Sequence, residues 1–198
     1  MAAPYPVLFM LQQMVNDLSL IERKHYHPES KRRENDIEHS MAVTVLCWYI
    51  HDKYALGLDI AKILKYALTH DFVERYAGDV PTFASSTERE MKAMREHESL
   101  KMLSNEFDDF EDMIASMQKY EAKEDDESLF VWSVDKMQQL IMGDLDSWSS
   151  YAEAPITYNQ FAAKYKELSE KSSIYCREIF EGLLEYSKST YYDRPRVR

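Results

Sequence analysis

Apolar residues recur at spacings of three and four along most of the chain, and this rhythm constrains the fold more than any other feature. In "YPVLFMLQQMVNDLSLI" it runs through Val7, Leu8, Leu11, Met14, Val15, Leu18 and Ile21, the mark of one helical face. "DIEHSMAVTVLCWYIHDKYA" repeats it with Ile37, Met41, Val45, Trp48 and Tyr49 on one face, ending near Gly57. "LDIAKILKYALTHDFVERYA" reads as a single helix capped by Asp59 and stopped by Gly78, with Ile60, Ile63, Leu64, Ala67, Leu68 and Phe72 inward. "TEREMKAMREHESLKMLSNEF" gives another, with Ser86 or Thr87 as N-cap ahead of Glu90. A short helix and an acidic loop suit "DDFEDMIASMQKYEAKEDDES", and "LFVWSVDKMQQLIMGDLDSW" is an apolar helix around Asp135. Two more helices are expected at roughly 157–171 and 173–189, ahead of a basic tail, "RPRVR". "HYHPESKRREN", polar and broken by Pro28, reads as a loop. No segment alternates long enough to demand a sheet. The expected class is all-α, one domain over residues 1–198 with a core at about 5–150 and a helical extension at about 151–198.

Composition narrows the function. Four glycines among 198 residues leave no Gly-rich phosphate loop or dinucleotide fingerprint. A formal charge of −11 has the wrong sign for a nucleic-acid polymer, so an anionic small molecule would need a metal or a basic cluster at its site. Cys47 and Cys176 both lie in helical patterns and read as small core residues, not as a disulfide framework. The N-terminal stretch lacks a basic flank and is amphipathic, unlike a signal peptide or a membrane span, so a cytoplasmic protein is expected.

Four ionisable groups are embedded in apolar helices: His39, His70, Asp71 and Asp135. A single histidine there reads as a packed core residue. An aspartate between "FVWSV" and "MQQLIM" is different, because an unpaired buried carboxylate is costly and needs a cation, donors or a metal. Two such aspartates and two such histidines on three helices favour a shared partner over four separate accommodations. Imidazole nitrogen with carboxylate oxygen suits one divalent transition metal ion: cobalt, manganese, iron, nickel or zinc. His51–Asp52 is a second "HD" but reads as a surface helix end, while His25, His27 and His97 read as loop or exposed helical residues. Glu74 follows Asp71 by three and shares its helical face; Asp79 sits on the turn after Gly78. Both read either as a solvated helix end or as pocket groups, Glu74 for water activation or leaving-group protonation and Asp79 for a substrate hydroxyl.

These residues together resemble the HD-domain metal-dependent phosphohydrolases, and most closely the bacterial 5′-deoxynucleotidase-like branch. "ENDIEHS" carries Glu34, Asn35, Glu38, His39 and Ser40 of that pattern; "HDFVERYAGDVPT" carries His70, Asp71, Glu74, Gly78, Asp79, Pro81 and Thr82; "VDKMQQL" supplies Asp135, and "LIERK" supplies Arg23. The resemblance implies an all-helical HD-domain bundle with the metal on His39, His70, Asp71 and Asp135. It also implies catalysis by Glu74, nucleotide contacts from Arg23 and Asp79, and a homodimer or higher homo-oligomer. Lys24 stands where the branch has tryptophan, and "FASS" follows "GDVPT". The run Lys31–Arg33 is either a solvated basic stretch or a steering element for polyphosphate, with Lys24 and Arg33 as candidate substrate contacts. The expected reaction is hydrolysis of a deoxynucleoside monophosphate. The alternatives are release of intact triphosphate from deoxynucleoside triphosphates, as in related small phage enzymes, and non-catalytic nucleotide binding.

Overall fold

The computed structural model describes residues 5–30, 32–153 and 156–193. In chain order they form α1 (Tyr5–Leu18), β1 (Glu22–Tyr26), β2 (Arg33–Asn35), α2 (Asp36–Tyr54), α3 (Ile60–Thr69), α4 (Glu74–Ala77), α5 (Ser86–Glu106), α6 (Glu111–Ala122), α7 (Asp126–Leu145), α8 (Ser149–Ala152), α9 (Tyr158–Glu170) and α10 (Arg177–Asp193). The all-α class holds, with one addition: β1 and β2 pair antiparallel where the sequence reads as a loop. The inward positions of this ribbon are Arg23, His25 and Glu34, so its alternation is one of burial and not of hydropathy.

The apolar rhythm of α2 points the wrong way. Met41, Val45, Trp48 and Tyr49 face outward, and the buried face is Asp36, His39, Ser40, Val43, Cys47 and Ile50. Its small and polar members let α2 lie close against α3 and α7 and aim His39 inward. Asn35 and Glu38 form a capping box that fixes where α2 starts, and with it the direction of His39 one turn later. Helix α5 is capped one residue earlier than expected, by Ser85, with Glu88 closing the box.

The single helix expected over 58–77 is broken. Asp59 caps it as expected, but α3 ends at Thr69. Tight i→i+3 bonds from Phe72 N to Thr69 O and from Glu74 N to Asp71 O then carry the chain to α4, which stops at Gly78 with φ +71°. The break rotates residues 70, 71 and 74 toward one point. Leu68, read as inward, is left exposed.

Two apolar clusters hold these elements. The larger joins Val43, Ile63, Val134, Phe161, Tyr165, Cys176 and Phe180, so α9 and α10 complete the same core as α2, α3 and α7. The smaller joins Met14, Leu18, Leu103, Phe107 and Met117 under α1, α5 and α6. Cys47 and Cys176 are buried free thiols. After α7 the chain turns through Ser147 and Trp148, both with positive φ, and the Trp148 ring fits because residue 143 is glycine. Among the described residues no helix is long and apolar enough to cross a membrane.

Candidate metal centre and substrate cavity

Helices α2, α3 and α7 bring His39, His70 and Asp135 together, all buried, with ligating atoms within 4.8 Å of one another. The proton on each imidazole is placed by its far nitrogen. Gln138 donates through Nε2 to Glu34 Oε1 at 2.8 Å, which turns its carbonyl Oε1 toward His39 Nδ1 at 3.1 Å. His39 must then donate from Nδ1. Burial, and then the charge of Arg23, push the His39 pKa down to about 4, so the ring is neutral and carries only that proton. Its Nε2 lone pair faces Asp135 Oδ1 at 3.1 Å. His70 is arranged likewise: Nδ1 donates to Ala67 O at 2.8 Å, leaving a buried Nε2 that makes no aligned hydrogen bond, 3.1 Å from Asp71 Oδ2.

Acceptors therefore converge on one point without enough protons among them, the arrangement a cation satisfies. The charges agree. Burial opposes ionisation of Asp135, but the charge of Lys136 leads the influences that hold the carboxyl well below its ordinary range. Burial also disfavours charge on His70, yet Asp71 and Asp135 overcome it and draw the pKa up. Two imidazole nitrogens with carboxylate oxygens fit a divalent transition metal.

Beside this set lies a second group, Asp36, Asp71 and Glu74. The Arg23 guanidinium crosses it, donating from Nη1 to Asp71 Oδ2 at 2.7 Å and Asp36 Oδ1 at 3.0 Å, with Glu74 Oε2 at 3.5 Å and Asp79 Oδ1 4.0 Å from Nη2. Asp71 thus joins the two groups, reaching both His70 and Arg23. Glu74 is almost fully buried; burial and then Asp71 push its pKa well above the ordinary range, against the pull of Arg23 and of Lys92, whose Nζ is 2.9 Å from Oε1. A buried carboxyl of this kind is a proton donor in waiting.

A cavity of about 470 Å³ opens onto Asp71 and Glu74 of the second group. Arg23, Asp71, Glu74, Asp79 and Lys92 line its charged end, while Phe83, Tyr151 and Ile156 line the other. The site residues read from the sequence are thus brought together, with two exceptions at the rim. Lys24 is exposed and lines the mouth through β1. Arg33 is not among the lining residues: it pairs with Glu153 Oε2 at 2.7 Å and stacks over Tyr26. Of the basic run, Lys31 lies outside the described residues, and Arg32 is paired with Glu38. His51, bonded to Leu58 O, is remote from the site in its contacts, as its helix-end position suggested.

Lys92, Gln138 and Gln139 were missed. Gln138 and Gln139 follow Asp135 by three and four, one turn along α7, which was a legible signal. Lys92 offered none, being one of several charged residues on a polar helix. His25 needs correction: it is neither in a loop nor exposed, but buried on β1 and lining the cavity, because i and i+2 on a strand share a face with Arg23.

The HD domain matches residues 15–174. In the solved structures, the chain is similar to a protein described as a predicted metal-dependent phosphohydrolase from Magnetospirillum magnetotacticum MS-1. That likeness has 23% identity and a TM-score of 0.76, and covers 95% of this chain and 96% of that one. A conserved hypothetical protein from Pyrococcus furiosus is 20% identical, with a TM-score of 0.61 over 89% of this chain and 99% of its own. A protein from Pyrococcus horikoshii OT3 is 17% identical, with a TM-score of 0.60 over 89% and 98%. At these identities the likeness is one of fold, and no curated protein matches the chain. The family match spans most of the sequence, including every histidine and carboxylate of the site: the chain belongs to the HD-domain family.

Proposed function

We propose that this HD-domain protein is a metal-dependent phosphohydrolase that cleaves the 5′ phosphoester of deoxynucleoside monophosphates. The observation that carries the reading is that Asp71 joins the proton-poor His39/His70/Asp135 set to a cavity lined by the cations Arg23 and Lys92 and the buried Glu74. His39, His70, Asp71 and Asp135 would hold the metal, which when bound polarises phosphate and lowers the pKa of a water. The described phosphohydrolase likeness points the same way.

The chain's own groups then divide the work. Arg23, released from part of its carboxylate cluster, clamps phosphate oxygens in its planar fork. Lys92 keeps Glu74 in place and adds positive charge, which an anionic substrate needs in a protein of formal charge −11. Glu74, whose carboxyl is pushed toward its protonated form by burial and by Asp71, gives its proton to the leaving 5′ oxygen. Asp79, at the mouth beyond Arg23, accepts from the 3′ hydroxyl. Release of intact triphosphate is less well supported, because Arg32 and Arg33 are committed to Glu38 and Glu153.

The test is a product assay with cobalt or manganese against deoxy- and ribonucleoside mono-, di- and triphosphates, with His70→Ala as control. Free phosphate from deoxynucleoside monophosphates is expected. Triphosphate as product would move the substrate to the triphosphates, and nucleotide binding without any product would leave a binding protein.

A further inference from the structure

The end of the cavity away from Glu74 is built around His25. Arg23 and His25 alternate on β1, so their side chains enter the same cavity about 6.7 Å apart along the strand. A ligand with its phosphate at Arg23 has its next rigid group beside His25. That ring packs against Tyr151 with centroids 5.3 Å apart, and Phe83 meets Tyr151 edge-on at 6.0 Å, making an aromatic wall suited to a flat heterocycle.

The tautomer of His25 is set from behind. Four donors converge on the Asp146 carboxylate: the backbone N–H groups of Tyr26, Ser149 and Ser150, and the Ser150 hydroxyl at 2.6 Å. The single hydroxyl proton of Ser150 is therefore spent on Asp146. Its Oγ, 3.1 Å from His25 Nδ1, accepts the proton held there. With the Nδ1 position taken up by Ser150, Nε2 is the ring's open acceptor position, without a hydrogen bond to any described residue, in a ring that lines the cavity. Maintaining an acceptor toward an aromatic-walled space selects a ligand that brings an N–H.

We propose that this end is a nucleobase subsite in which His25 Nε2 accepts a hydrogen bond from the exocyclic amino group of an adenine or cytosine base. The Asp146–Ser150 pair positions it. The inference rests on the nucleotide reading above, and adds which part of the nucleotide the chain recognises and how.

Nucleosides carry no phosphoester, so their binding separates this subsite from turnover. Metal-loaded full-length protein is titrated at pH 8 with 2′-deoxyadenosine and 2′-deoxycytidine, and with the two analogues that lack only the amino group. Inorganic phosphate is the control for the charged end. The amino nucleosides should bind about tenfold more tightly than their analogues, the scale of one hydrogen bond. His25→Phe should erase that preference while leaving phosphate affinity unchanged. Ser150→Ala, which keeps the ring but frees its tautomer, should cut the preference by about threefold. Equal binding of amino and des-amino nucleosides, a preference that survives His25→Phe, or loss of phosphate and nucleoside affinity together would each overturn the proposal. Absence of phosphate release from every nucleotide would sink the phosphohydrolase reading and leave the nucleoside preference standing.

Discussion

His39 presents a bare Nε2 to Asp135 Oδ1 at 3.1 Å because Gln138, one turn beyond Asp135, holds the ring proton on the opposite nitrogen. The aspartate and the glutamine that sets up its partner thus come from a single helix, α7. Removing the carbonyl at 138 frees the ring to protonate either nitrogen. Gln138→Ala should weaken metal binding by about 10- to 100-fold while the helical circular dichroism is unchanged, read by competition with a chelating indicator.

Glu74 lines the charged end of the cavity and has a raised pKa, so in the proposed mechanism it acts as the protonated acid. Activity should fall as pH rises through that pKa, since the proton is then lost before it can be delivered. Glu74→Gln should keep the metal, lose about 10²- to 10⁴-fold in kcat, and lose the alkaline limb of the pH profile. An unchanged alkaline limb in residual activity would assign that limb to another group.

Glu34 supplies the acceptor for Gln138 from a buried strand position, and burial pushes its pKa up to about 7 from an ordinary 4.5. The folded state therefore holds this proton more tightly than the unfolded chain does. Its stabilising effect is complete below pH 4.5 and is lost as pH rises toward 7, on the order of 3 kcal/mol for a full shift of this size. Glu34→Gln has no such proton to lose. Compared without metal, its thermal midpoint should gain on the wild type between pH 5 and pH 8, with little difference at pH 4.

The turn that carries Asp146 and Ser150 depends on a glycine. A Cβ at residue 143 would lie 2.6 Å from Trp148 Cζ3 and 3.0 Å from Tyr151 Cε2. Gly143→Ala should cost about 1–3 kcal/mol by overpacking, visible in chemical denaturation, and should loosen the aromatic end of the cavity.

The helices were legible because their apolar spacing is strong, and the buried cluster of His39, His70 and Asp135 because charge embedded in apolar runs is expensive. What failed had a common cause. The inward face of α2 starts with Asp36, His39 and Ser40, so hydropathy alone chose Met41, Val45 and Trp48. The ribbon buries Arg23, His25 and Glu34, so it read as a loop and His25 as an exposed residue. The break after Thr69 gives no compositional signal, since it is made by backbone turns within a helical pattern. Where a site is built from polar groups facing inward, its own chemistry hides the local fold.

The central claim is that the convergent imidazole and carboxylate groups hold one metal ion. Metal content of purified full-length protein, by inductively coupled plasma mass spectrometry after equilibration with cobalt or manganese and gel filtration, tests it most directly. Close to one equivalent is expected in the wild type and in Glu74→Gln, and essentially none in His70→Ala or Asp135→Ala that remain helical. Full occupancy in Asp135→Ala, or a wild type that retains no metal, would contradict it.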